Sequence, residues 1–286
     1  MDKDVCEKFK NVWTNLEYDS STESYKFKDD NDFKEYCTDV NCEEDINKIN
    51  AACLFLFNEL FGSSDSFNSV AKGNINIVEY IMIWLSYMLN FTTIDESGSI
   101  ELFYEIYIKD CDKYNNKIDG VTAYNSYKDL IDKKEDLISI YVKDISKFHD
   151  AFNTLCMMYI EFDSENADCK NYLEKAKKFV EIYDELNEYY NNGKGSPYNQ
   201  LLSTLSNDYN RFKNKCNNLP SLSTYSRKLV IKRALIPIAF IFVAVLIFLG
   251  IAYKYSLLGF RKRSQKQCLR ERIKNIKKKL IINKLF

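Results

Sequence analysis

Between Ala234 and Tyr253 the chain reads ALIPIAFIFVAVLIFLGIAY, twenty consecutive uncharged residues closed by Lys232 and Arg233 on one side and Lys254 on the other. At a rise of about 1.5 Å per residue, a helix of this length covers the roughly 30 Å hydrocarbon core of a bilayer. A buried helix of a globular domain seldom runs so far without a polar residue, so the stretch is expected to be a transmembrane helix. Pro237 falls in its first turn and Gly250 near its far end, where a membrane helix tolerates either.

The span separates parts of opposite charge. Residues 254–286 hold twelve of the 40 Lys and Arg but only one of the 41 Asp and Glu, Glu271. Residues 1–233 hold the other 28 basic and 40 acidic residues, an asymmetry that the net charge of −1 conceals. Lys254, Arg261, Lys262, Arg263, Lys266, Arg270 and Arg272 follow the span closely, against Arg227, Lys228, Lys232 and Arg233 before it. That bias places the tail in the cytosol and the large domain outside. The polar N-terminus, MDKDVCEKFK, opposes this orientation because it lacks an apolar signal region. A tail-anchored protein with its large domain in the cytosol is the competing topology.

Cysteine usage bears on the same question. Cys6, Cys37, Cys42, Cys53, Cys111, Cys156, Cys169 and Cys216 precede the span, and Cys268 follows it. An even number, set mostly among polar and turn-forming residues, favours an oxidised extracellular domain with up to four bridges of undetermined connectivity. Cys53 and Cys156 lie on apolar helical faces and are alternative free core thiols. Zinc is disfavoured, since Cys37 and Cys42 lack CxxC spacing and His149 is the only histidine.

The large domain reads as all-α. Ile46, Ile49, Cys53, Leu56, Phe57 and Leu60 recur at helical spacing before Gly62, expected as a left-handed stop. Residues 76–90, NIVEYIMIWLSYMLN, are apolar almost all round and are expected to form the central buried helix, despite Glu79. Leu137, Tyr141, Ile145, Phe148, Phe152, Leu155 and Tyr159 predict one long amphipathic helix; Leu173, Ala176, Phe179, Val180, Tyr183, Leu186 and Tyr190 predict another, followed by a segment from Tyr198. Sustained period-two alternation is missing. The expected organisation is a disulfide-bonded helical ectodomain (1–216), a short linker or stalk (217–233), one transmembrane helix (234–253) and a basic amphipathic cytoplasmic tail (254–286). Asp119-Gly120 marks the candidate internal seam of the large domain.

Little in the chain suggests chemistry. His149 and Cys156 are two helical turns apart, about 10 Å, too far for a thiolate and its base. Gly-rich phosphate loops and EF-hand loops are missing from the sequence. No catalytic, cofactor-binding or metal-binding residue is therefore assigned, and the expectation is a protein that is not an enzyme and carries no cofactor. Asn90-Phe91-Thr92 is the one glycosylation sequon. In the tail, Leu269, Ile273, Ile276 and Leu280 recur at helical spacing among Lys and Arg, so residues 265–282 can form a basic amphipathic helix. Its expected partner is anionic lipid or an acidic cytoskeletal protein; nucleic acid is disfavoured, because the bilayer tethers the tail. Cys268 is a candidate for acylation.

Six segments, among them CLFLFNELF (53–61), SVAKGNINIVEYIMIWLSYMLN (69–90), KFHDAFNTLCMMYIEFD (147–163) and LLGFRKRSQKQCLRERIKNIKKK (257–279), closely resemble the Plasmodium interspersed repeat (PIR) family, the cir, yir and bir variant antigens of rodent malaria parasites. DGVTAYNSYKDLIDKKEDL (119–137) and LLSTLSNDYNRFKNKC (201–216) complete the set in order. The resemblance implies an exported, single-span protein of infected red cells with a disulfide-bonded helical ectodomain and no conventional signal peptide. It also implies that Cys6, Cys37, Cys42, Cys53, Cys156, Cys169 and Cys216 occupy positions where the family carries cysteine. Tyr172 stands where relatives often have a further cysteine, Cys111 is idiosyncratic, and the stalk is short. The expected function is a variant surface or exported antigen engaged in antigenic variation and immune evasion, its ectodomain facing a host receptor or antibody. The location implied is the infected red-cell membrane or parasite-derived membranes. The alternative is a cytosol-facing, membrane-anchored remodelling or trafficking factor.

Overall fold

A computed structural model of the chain describes residues 1–28, 32–37, 42–92, 100–138, 145–163, 168–190, 197–222, 241–251, 253, 265–275 and 277. The chain divides into two compact units, Met1–Thr224 and Tyr225–Phe286. The first contains helices α1 (Lys3–Asn15), α2 (Asp45–Phe61), α3 (Ile77–Leu89), α4 (Ile100–Phe103), α5 (Asp112–Asn115), α6 (Tyr127–Asp132), α7 (Glu135–Ile138), α8 (Ile145–Glu161), α9 (Leu173–Tyr190) and α10 (Pro197–Lys213). Strands β1 (Leu16–Asp19) and β2 (Ser24–Phe27) form a hairpin directly after α1.

Local chemistry explains the main helices. Asp2 caps α1, its carboxylate accepting the Val5 N–H, and the helix turns Val5, Cys6, Phe9 and Val12 inward at spacings of one to four residues. The stripe predicted on α2 is buried in full, together with its flanking Ala51, Ala52, Leu54 and Phe55. Eleven of the 13 residues of α3 are buried, which makes it the central helix. A fully buried Leu or Phe is worth about 2 kcal/mol, so α2 and α3 dominate the hydrophobic term of this unit. On α8, Phe148, Phe152, Leu155 and Tyr159 face the core, against α1, α3 and α9. Of the long helix predicted from Leu137, that residue lies on α7 and Ile145 to Tyr159 lie on α8, while Tyr141 lies outside the described residues.

Two local expectations are corrected. Gly62 closes α2 with φ −70° and is not a left-handed stop. Its missing side chain is used differently, because a Cβ there would stand 2.5 Å from Asn58 Oδ1 and 3.0 Å from Tyr127 Oη. The hairpin is the second departure from an all-helical domain. It pairs Leu16 with Phe27 and Tyr18 with Tyr25, and its strands are four residues each, too short to give a periodic signal. Tertiary contacts hold it: the Tyr25 N–H donates to Asp45 Oδ1 at 3.0 Å and its hydroxyl to the Met88 carbonyl at 2.8 Å. Asp119-Gly120 does form a turn, with Gly120 at φ +78°, but it lies inside the first unit.

Three disulfides brace this unit. Cys6–Cys156 joins α1 to α8, Cys37–Cys42 closes a short loop before α2, and Cys169–Cys216 ties the turn ahead of α9 to the chain after α10. The fourth bridge that eight cysteines would allow is not formed, since Cys53 and Cys111 are free. Cys156, a candidate free thiol by sequence, is bonded; Cys53 remains one, buried on α2, and burial pushes its thiol up to about 12.

In the second unit, residues 241–251 are helical and their side chains are exposed, including Phe242, Leu246 and Phe248 at 66%, 68% and 71%. Residues 234–240 and Ala252 of the expected span lie outside the described residues. Among the described residues no helix is long and apolar enough to cross a membrane. Residues 265–275 form a second exposed helix, within the predicted amphipathic tail.

Candidate functional site

His149, the one residue that suggested acid–base chemistry, is built into an aromatic stack. α8 presents its ring parallel to Tyr87 of α3, at 3.8 Å between centroids and 2° between planes, with Trp13 of α1 edge-on at 5.9 Å. Tyr87 continues to Phe91 at 5.1 Å, and Phe91 to Tyr18 of the hairpin at 5.2 Å. Neither ring nitrogen of His149 has a hydrogen-bond partner, and burial lowers its pKa to about 4. It is thus a neutral core side chain near pH 7. Cys156 is bonded to Cys6, so it has no thiolate to offer.

Two buried polar hubs carry the remaining charge of the interior. Glu79, fully buried on α3, accepts from Lys134 Nζ and Gln200 Nε2 through Oε1, both at 2.6 Å, and Lys134 also donates to Asn76 Oδ1 at 2.9 Å. Asp208 on α10 accepts the Met1 ammonium at 2.7 Å and the Tyr80 hydroxyl at 2.8 Å, while its carbonyl accepts the Tyr159 hydroxyl at 2.8 Å. Burial, then the Asp208 charge, raises Tyr80 well above the ordinary tyrosine value. These hubs fasten α3 to the α6–α7 turn and to α10. Sequence reading missed Lys134, Gln200 and Asp208 because nothing local marks them: their partners stand 55, 121 and 128 residues away.

Two shallow grooves lie among the described surface residues. One, of about 410 Å³, is lined by Glu101, Tyr104, Glu105, Asp132, Glu135 and Ile138. Tyr104 donates to Asp132 at 2.7 Å, Lys128 pairs with Asp132 at 2.6 Å, and Lys109 pairs with Glu105 at 2.7 Å. The other, of about 320 Å³, lies between the start of α1 and the Lys72–Asn74 turn, with Arg211 at its edge. No group of three or more His, Cys, Asp or Glu residues among the described residues is arranged to hold a metal ion. Asn90 of the sequon is exposed at the C-cap of α3, and the Thr92 hydroxyl donates to the Leu89 carbonyl at 2.8 Å.

The arrangement defines a class: a disulfide-braced, mostly helical domain whose buried polar groups connect helices. A family model for the Plasmodium variant antigen protein Cir/Yir/Bir matches residues 6–254, and the chain belongs to that family. It is also similar to a solved structure titled "Structure of a Plasmodium PIR protein ectodomain", at 31% identity and a TM-score of 0.60, over 78% of this chain and 97% of that one. No curated protein matches the chain.

Proposed function

We propose that this chain is a single-span, non-catalytic antigen of the parasite, displayed with its helical domain outside and its basic tail in the cytosol. Family membership supports the antigen reading. The observation that carries the topology is the contrast between a domain tied by Cys6–Cys156, Cys37–Cys42 and Cys169–Cys216 and a helix, 241–251, whose apolar side chains are exposed. Disulfides persist in oxidising surroundings, and an apolar helix open on every side belongs in lipid. In this reading the bridged scaffold holds its core fixed while exposed positions change among relatives, which serves immune evasion and presents the ectodomain to a host receptor or antibody.

Protease treatment of intact infected red cells tests the topology. Residues 1–233 are expected to be degraded without detergent; their protection until permeabilisation would instead favour the cytosol-facing remodelling factor. Thiol counting on the unreduced, denatured chain is expected to find Cys53, Cys111 and Cys268 alone. Nine alkylated thiols would remove the oxidised-domain argument.

A further inference from the structure

We infer that the helix at residues 265–275 is an interfacial helix that lies on an anionic membrane surface, an inference that rests on the anchor proposed above. Leu269 and Ile273, one turn apart, are exposed at 60% and 51% and form an exposed apolar stripe. At 100° per residue, Lys266, Arg270 and Lys277 fall on one border of that stripe and Arg272 on the other, while Glu271 falls about 180° away. An apolar stripe edged on both sides by long basic side chains is the pattern that lets Leu and Ile enter the acyl boundary while Lys and Arg reach up to phosphate. The single acid sits where it would face water.

Charge complementarity selects the occupant. The described helix carries Lys266, Arg270, Arg272 and Lys274 against Glu271 alone. Residues 254–264 separate it from the expected end of the span, a reach of at most about 40 Å when fully extended. The tail is therefore held at high effective concentration beside a lipid surface, and an acidic leaflet is the partner met first. An acidic protein would have to compete with that tethered surface.

The test uses the full-length chain with its bridges intact, carrying Cys111→Ser and Cys268→Ser, with an environment-sensitive fluorophore on Leu269→Cys. It is reconstituted into vesicles of phosphatidylcholine alone or of phosphatidylcholine with phosphatidylserine. The expected result is a blue-shifted emission only with phosphatidylserine, reversed by high salt. Neutralising Lys266, Arg270, Arg272 and Lys277 to Gln is expected to weaken the surface-bound state about fivefold per residue. Ile273→Ser should weaken it while leaving the salt dependence intact. Equal emission in both vesicle types would overturn the inference, as would a shift produced in neutral vesicles by polyglutamate, which would point to an acidic protein. If the chain fails to float with neutral vesicles, the anchor has failed; if it floats and the fluorophore ignores phosphatidylserine, the interfacial helix has failed.

Discussion

α3 and the helix at 241–251 are alike in sequence character and opposite in surroundings. Both are apolar on nearly every face, yet eleven of the 13 residues of α3 are buried whereas Ile241, Phe242, Leu246 and Phe248 are all more than half exposed. α3 also carries a carboxylate, Glu79, which it tolerates because Lys134 and Gln200 meet it at 2.6 Å. No Asp, Glu, Lys or Arg stands between Ala234 and Tyr253. The difference teaches that apolar content alone does not assign a helix to a core or to a bilayer. A partnered charge marks a helix whose neighbours are protein, and its absence over twenty residues is what the proposed membrane anchor requires.

Substitutions can break this contrast. Ile81→Arg places an unpaired charge in the centre of α3 and is expected to cost more than about 5 kcal/mol, enough to leave the domain unfolded by circular dichroism. Leu246→Arg should leave that same spectrum and its thermal midpoint unchanged while reducing bilayer integration by about 3 kcal/mol, read as loss of vesicle flotation. Equal damage to the domain from both would refute the division into two solvents.

The next effect concerns the bridge that joins α1 to α8. Cys6 and Cys156 close a loop of 150 residues, so replacing both by Ser is expected to destabilise the domain by about 4–5 kcal/mol in urea unfolding, with Cys37→Ser plus Cys42→Ser costing far less. Comparable losses would show that the long bridge does not constrain the unfolded chain as loop entropy predicts.

Lys134→Met should cost about 3–5 kcal/mol, because it strands the buried Glu79 carboxylate. Glu79→Leu in the same chain is expected to restore most of that stability. A double variant as unstable as the single one would mean that Gln200 and Asn76, not the ion pair, hold the hub together.

The smallest effect is a pH dependence. His149 is neutral when folded, with a pKa of about 4 against 6.5 when unfolded, so the unfolded chain binds the extra proton. Its contribution is fully present above about pH 6.5 and is lost as pH falls toward 4, about 3 kcal/mol in all. His149→Leu should flatten that part of the stability profile, leaving the slopes owed to the carboxylates. An unchanged profile between pH 6.5 and 4 would show that His149 is accessible to protons in the folded state.

Much of the architecture was legible because helical stripes are local. The residues at 46–60 and 173–190 announced α2 and α9, and the near-continuous apolar run at 76–90 announced a central α3. The hairpin was illegible, since its strands are short and Tyr25, besides pairing with Tyr18, is anchored by the distant Asp45 and Met88. The cysteine pairing was equally so: Cys156 looks like any apolar-face residue of α8 until α1 is laid against it. His149 shows the limit for sites. Its spacing from Cys156 already argued against a catalytic pair, and the fold surrounds the ring with Tyr87 and Trp13 and leaves both nitrogens without partners.

The sequence by itself determined the helical class, the kinship to the variant antigens, the charge asymmetry and the uncharged run from Ala234 to Tyr253, because each is written in residue type at short spacing. Tertiary structure decided which cysteines join, which acid may be buried and that the lone histidine is buried with neither ring nitrogen hydrogen-bonded. Apart from the short Cys37–Cys42 loop, those outcomes depend on side chains brought together across 47 to 150 residues, and only packing supplies that proximity.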